Sequence, residues 1–175
     1  MTKRVYFLPM YHVIFIVYPG FEVLDVSGPA AVLNGANHAL GQRGKQAFYK
    51  VVVASGQGSA VESSSGVTVE TRPIGELRPA GTQTVLVAGA ERDPLLVAVS
   101  DPVLRGILPR LVGKAERFGS VCTGGFLLAA LGHLTAVASA RIGTPASPSR
   151  KSSRRSWLIP MHFTWSTAIC GLRPG

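Results

Sequence analysis

Acidic residues and cysteines are scarce in this sequence: 9 Asp+Glu stand against 18 Lys+Arg, and there are 2 cysteines in 175 residues. Cys122 and Cys170 are far apart and in unlike contexts, which excludes the disulfide framework of a small secreted scaffold. Each is read as a free thiol. No long hydrophobic run is present: the longest near the N-terminus, residues 13–17, is far too short to span a bilayer. Residues 1–9 lack an extended apolar segment followed by a small-residue cleavage site. The chain is therefore expected to be cytoplasmic, with no membrane contact. Histidine is also sparse, and His12, His38, His133 and His162 are each read as ordinary. No His/Cys/Asp/Glu spacing suits a metal, and no Gly-rich phosphate loop follows a strand. Neither a metal nor a cofactor is expected.

The shortage of acid is uneven along the chain. Residues 1–134 hold 12 of the 18 basic residues and all 9 acidic ones, whereas residues 135–175 hold Arg141, Arg150, Lys151, Arg154, Arg155 and Arg173 and no acid at all. The formal charge of +9 is thus mainly a property of the tail, and it does not mark residues 1–134 as a nucleic-acid surface.

What remains is core-forming material. Hydrophobic residues make up 46% of the chain and the mean hydropathy is +0.27, enough to fill the core of one domain. Residues 12–17 form a β-branched run closed by Tyr18-Pro-Gly20, a pattern predicting a buried parallel strand entering a turn. Residues 25–40 carry apolar side chains at helical spacing, with Gly41 as the expected stop. Residues 48–54 read as a second strand. Residues 60–63 and 66–70 read as a short hairpin about Ser64-Ser-Gly66, and 84–88 as a third core strand. Helices are expected over 94–99 and 102–111, the latter with Asp101 as N-cap and Pro102 at its first position. Residues 118–121 read as a fourth strand leading to Cys122, followed by a helix over 124–131. Alternating strands and helices argue a mostly parallel sheet covered on both faces.

A nucleophile between the end of a strand and the start of a helix is lifted out on a tight turn, where helix N–H groups favour a thiolate. Gly119-Ser-Val-Cys-Thr-Gly-Gly125 has that arrangement, with small residues around Cys122. Local pattern alone leaves a second reading open, because free cysteine is also a common core residue.

Four stretches, Tyr18-Pro-Gly-Phe-Glu-Val-Leu-Asp-Val-Ser-Gly-Pro29, Ser63-Ser-Ser-Gly-Val67, Leu86-Val-Ala-Gly89 and Ser120-Val-Cys-Thr-Gly124, together resemble the ThiJ/PfpI (class I glutamine amidotransferase-like) superfamily. The wording is most similar to the N-terminal, amidase-like domain of GlxA-type AraC regulators, and isonitrile hydratases share the motifs. The resemblance implies a flavodoxin-like three-layer sandwich, here C-terminally incomplete, and usually a homodimer. It puts Asp25 against the cysteine, where a carboxyl exchanges a proton with the sulfur; the alternative is an N-cap on the following helix. It puts an oxyanion or ligand-binding hole at the backbone N–H groups of Thr123 and Ala90, around Gly89. The family commonly has Pro-Gly-Gly where this chain has Ala88-Gly-Ala90.

Residues 1–134 are thus expected to form a truncated ThiJ/PfpI domain. Past Leu134 the texture turns to Ser, Arg, Pro and Ala without apolar periodicity. The family continues instead with Gly-Leu-Leu-Asp-Gly-Arg-Arg, a Thr-His-Trp triplet and later Asp-Gly-x-x-Trp-Thr-Ser-Ala-Gly. Taking the last base of each codon with the first two of the next restores much of this. Leu134 through Val137 permits Asp-Gly-Arg, and Arg141-Ile-Gly-Thr144 permits His-Trp-His. Leu158 through Gly175 permits Asp-Pro-Asp-Ala-Leu-Tyr-Val-Val-Asp-Gly-Asp-Leu-Trp-Thr-Ser-Ala-Gly. Residues 135–175 are therefore read as an out-of-frame, poorly ordered basic tail, with apolar surface left uncovered on the truncated sheet.

Three functions follow as expectations. The first is a ligand-sensing domain of an AraC-type regulator, binding a small molecule, with DNA contact only through a missing C-terminal domain. The second is a cysteine enzyme of the isonitrile hydratase type, and the third a thiol stress protein oxidised reversibly at Cys122.

Overall fold

The computed structural model describes residues 10–77 and 83–133 and, as backbone, the strand Thr167–Leu172. The rest of the expected tail lies outside the described residues. Among the described residues, seven strands form one sheet: β1 (Tyr11–Ile16), β2 (Tyr49–Ser55), β3 (Ser59–Glu62), β4 (Thr68–Pro73), β5 (Gln83–Val87), β6 (Arg117–Val121) and β7 (Thr167–Leu172), in the order β3-β4-β2-β1-β5-β6-β7. Pairings within β4-β2-β1-β5-β6 are parallel, and β3 and β7 add antiparallel edges. The described residues also form four α-helices: α1 (Leu24–Gln42), α2 (Arg92–Ser100), α3 (Pro102–Lys114) and α4 (Gly124–Ala130). The mostly parallel α/β architecture expected from the sequence is present.

β1 explains why the fold is layered. Its side chains alternate between faces, and both sets are buried: Ile14 and Ile16 join Val85, Val87, Leu104, Leu108, Leu127 and Leu128, while Val13 and Phe15 join Val17, Phe21, Val26 and Leu86. An unbroken apolar run is the pattern of a strand with a core on each side. Each fully buried side chain of this size contributes about 1.5–3 kcal/mol. The first core lies under α2, α3 and α4, and the second takes in Val26 of α1.

β1 is also the point at which the chain changes its direction of travel across the sheet. The order β2-β1-β5-β6 places β2 on one side of β1 and β5, then β6, on the other. That is the flavodoxin-like arrangement, in which the crevice beyond the carboxyl ends of the strands flanking the switch is where ligands bind. Here that crevice is bounded by the loops after β1, β5 and β6.

Several bounds differ from the sequence reading. α1 runs past Gly41 and ends where Gly44 adopts φ +67°, a conformation that suits glycine. Its latter half is fastened by Asn37, whose side-chain amide donates to the Tyr49 carbonyl at 2.8 Å and accepts from the Phe48 and Tyr49 N–H groups at 2.9 Å each. α3 extends to Lys114, and its expected cap is in place: Asp101 Oδ1 accepts from the Val103 N–H at 2.7 Å and the Leu104 N–H at 3.1 Å. A short 3-10 turn, Ile74–Glu76, was not foreseen. β7 lies within the stretch read as a tail, and it pairs antiparallel with β6. Among the described residues, no helix is long and apolar enough to cross a membrane.

Candidate functional site

The loop leaving β1 is shaped by Gly20, whose φ of +79° is in the left-handed region and whose Cα faces Pro94 so closely that a Cβ would come within 2.7 Å of its ring. Phe21 then bridges to both Ser63 and Ala90, and the Glu22 N–H donates to the Gly89 carbonyl at 2.8 Å. The loops after β1, β3 and β5 are thereby tied into one corner. α1 starts immediately afterwards and carries Asp25 in its first turn.

Asp25 is not the helix cap. The N-cap position is Val23, no side chain caps that end, and Asp25 is directed inward at 1% exposure. Its Oδ2 accepts from the Gly89 N–H at 2.7 Å. Burial raises the Asp25 carboxyl above its ordinary range; the Gly89 amide pulls it back down in part, and the nearby Glu22 charge raises it further. The net effect is a carboxyl that holds its proton to higher pH than a solvated aspartate.

Cys122 stands between β6 and α4, exposed and free, with φ +51°. A non-glycine residue held in the left-handed region costs on the order of 1–3 kcal/mol, and such residues cluster at functional sites. The turn is possible because its neighbours are small. A Cβ on Gly124 would collide with the Val87 carbonyl and come within 2.8 Å of the Ala88 carbonyl. A Cβ on Gly89 would come within 2.7 Å of Thr123 Oγ1, 2.8 Å of Thr123 N and 2.9 Å of Asp25 Oδ2. Gly89 is therefore the wedge between the carboxylate and the residue after the cysteine, and no side chain fits there.

The structure brings Asp25, Gly89, Ala90 and Thr123 into contact, with Cys122 adjoining them. It also shows how one of the two N–H groups expected to line a hole, that of Ala90, is used. The Ala90 N–H donates to Thr123 Oγ1 at 2.9 Å, and the Thr123 hydroxyl donates back to the Ala90 carbonyl at 2.7 Å. A ligand oxygen seeking the Ala90 N–H would have to displace that hydroxyl. The Gly89 N–H is taken by Asp25.

Tyr18 was not singled out from the sequence. It follows the β1 run at 3% exposure, and its hydroxyl donates to the Ala88 carbonyl at 2.9 Å. Burial pushes its phenol well above the ordinary tyrosine range, and the charges of Asp25 and Cys122 act in the same direction. Both groups thus lie in the neighbourhood of one phenol. The signal available was an aromatic with a polar tip at the end of a buried strand; which carbonyl it would reach was not legible. Among the described residues, no group of three or more His, Cys, Asp or Glu side chains comes together as a metal site would need.

The chain is 36% identical over 124 residues to an uncharacterised protein in the cpoL 5′ region of Streptomyces lividans, covering 71% of this chain and 82% of that one. A ThiJ/PfpI family protein from Pseudomonas syringae superposes with a TM-score of 0.60 at 23% identity, over 75% of this chain and 50% of that one. An AraC family transcriptional regulator from Pseudomonas putida superposes at 0.56 with 22% identity, over 70% of this chain and 61% of that one. The chain thus spans about half to three-fifths of the length of these two solved structures. Residues 11–141 match the DJ-1/PfpI family, and the chain belongs to that family.

Proposed function

We propose that this chain is a small-molecule-sensing, amidase-like domain of a transcriptional regulator, in which Cys122 engages an electrophilic ligand and Asp25 exchanges the proton. The observation that carries this reading is the left-handed, exposed Cys122 at the β6–α4 junction, with the buried carboxyl of Asp25 held against Gly89 in the same corner. Regulator structures from Pseudomonas putida and Vibrio parahaemolyticus share the fold, which supports the sensing role without naming the ligand. The domain acts in the cytoplasm as a homodimer, and DNA contact belongs to a segment encoded beyond it.

That separation comes from a change of reading frame near His133 or Leu134. Its support is the neighbouring frame itself, since a polar tail with no history in the family should not decode into Asp-Gly-Asp-Leu-Trp-Thr-Ser-Ala-Gly. Resequencing the gene through codons 133–134 tests it, and bases that do not permit the shifted reading end it. The downstream frame then decides the function. A helix-turn-helix pair in frame with the corrected domain selects the regulator, and an early stop removes it.

A raised Asp25 carboxyl favours a second reading, an enzyme of the isonitrile hydratase type. The Cys122 sulfur would add to the isonitrile carbon while Asp25 delivers a proton to it. Water would then displace the thiol, leaving a formamide. Turnover of an aliphatic isonitrile by the frame-corrected protein, lost in Cys122→Ser, selects this reading; binding without turnover selects the sensor.

A further inference from the structure

The Ala88–Gly89 peptide group is hydrogen-bonded at both ends, and both partners belong to the corner described above. Its carbonyl accepts from the Tyr18 hydroxyl at 2.9 Å, and its N–H donates to Asp25 Oδ2 at 2.7 Å. Tyr18 and Asp25 are 3% and 1% exposed, so water does not compete for either bond. A hydrogen bond accepted by a peptide carbonyl polarises the amide and strengthens its N–H as a donor, an effect that grows where the local dielectric is low. The peptide is also held in place. Gly89 is wedged between Thr123 and Asp25, and Gly124 lies hard against the Val87 and Ala88 carbonyls.

We infer that Tyr18 is a positioning residue for Asp25: acting through the Ala88–Gly89 peptide, it strengthens the amide's hold on the carboxylate and so sets the pH at which Asp25 takes up its proton. Tyr18 suits the task because burial keeps its phenol protonated, and hence a donor, through the whole range in which a carboxyl titrates. The other titratable groups around Asp25 are Glu22 from the loop before α1, whose charge acts on Asp25 directly, and Cys122 from the β6–α4 turn, which shares the Tyr18 neighbourhood. β5 and its following loop present backbone to the carboxylate here. The chemical use of this control rests on the proposed partnership of Asp25 with Cys122, but the hydrogen-bond relay does not.

The test uses the full chain in three forms: wild type, Tyr18→Phe, and a protein carrying 3-fluorotyrosine at position 18. The readouts are the Gly89 amide proton shift and the titration of the Asp25 carboxyl carbon by NMR. In Tyr18→Phe the Gly89 amide proton moves upfield and the Asp25 midpoint moves to higher pH, because the Gly89 amide is the group that lowers it. Fluorotyrosine is a stronger donor, and it moves both signals the other way. A merely structural role for Tyr18 gives no such opposition. Two signals that stay put, or that move the same way in both variants, overturn the inference. If Tyr18→Phe does not fold, the fluorotyrosine protein decides by itself. Alkylation of Cys122 by iodoacetamide across pH, in the same samples, reports separately on the functional reading. A rate blind to the Asp25 midpoint sinks the Cys122–Asp25 partnership while the NMR shifts leave the relay standing.

Discussion

A buried aspartate with a raised carboxyl is a cost that packing alone would not retain. Asp25 binds its proton more tightly folded than a solvated aspartate does at the ordinary value of 3.8. The stability linked to it is therefore fully present below that value and is lost as pH rises through the folded midpoint. Asp25→Asn keeps an oxygen acceptor for the Gly89 N–H and removes the desolvated charge. The variant should melt higher than wild type at about pH 8, and the two curves should converge as the pH falls toward about 4. Thermal melts across that range check this, and a lower melting temperature for the variant at about pH 8 would show the carboxylate to be stabilising. Gly124 makes the complementary point about the cysteine turn. An alanine there meets backbone carbonyls that cannot rotate away, so Gly124→Ala should cost about 1–3 kcal/mol in urea unfolding.

At the level of elements, what was legible depended on how local the cause was. β1 was readable because a strand buried on both faces needs an unbroken apolar run, and α3 because Asp101-Pro102 is a start signal in itself. Asp101→Ala should cost about 1 kcal/mol, measured by chemical denaturation, since two N–H groups lose their acceptor. The end of α1 was misjudged because glycine inside a helix is tolerated, and the true stop needed the left-handed turn at Gly44. Asn37 fastening α1 to the start of β2 depends on residues eleven and twelve positions later, beyond any helical period. Asn37→Ala should speed amide exchange in the second half of α1 while leaving Asp25 and the first turn protected. The site divided in the same way. Cys122 and Asp25 were visible through motif and turn chemistry, whereas Tyr18 and the Ala90–Thr123 exchange of hydrogen bonds join residues brought together only by strand order.

At the scale of the whole molecule, the described residues cover the two faces of the sheet unequally. α2, α3 and α4 lie on one face, while on the other α1 buries only Asp25 and Val26 along its 19 residues. Val32 is 73% exposed and Leu24 is 50% exposed on that helix. Exposed apolar side chains on a helix of low packing give it little tertiary support, and helices draw most of their stability from such support. The frame-shift reading has a direct consequence here. If residues 135–175 stand in place of a family sequence that completes this face, restoring the frame should protect α1 specifically. In hydrogen exchange, the frame-corrected protein should slow the amides around Val32 and Leu33 and leave those of β1, already buried on both sides, unchanged. The denaturant dependence of unfolding should steepen as well, because that slope scales with the surface a fold conceals. Equal exchange at α1 in both proteins would mean that the restored sequence covers some other face, and that the exposure of α1 belongs to the domain itself.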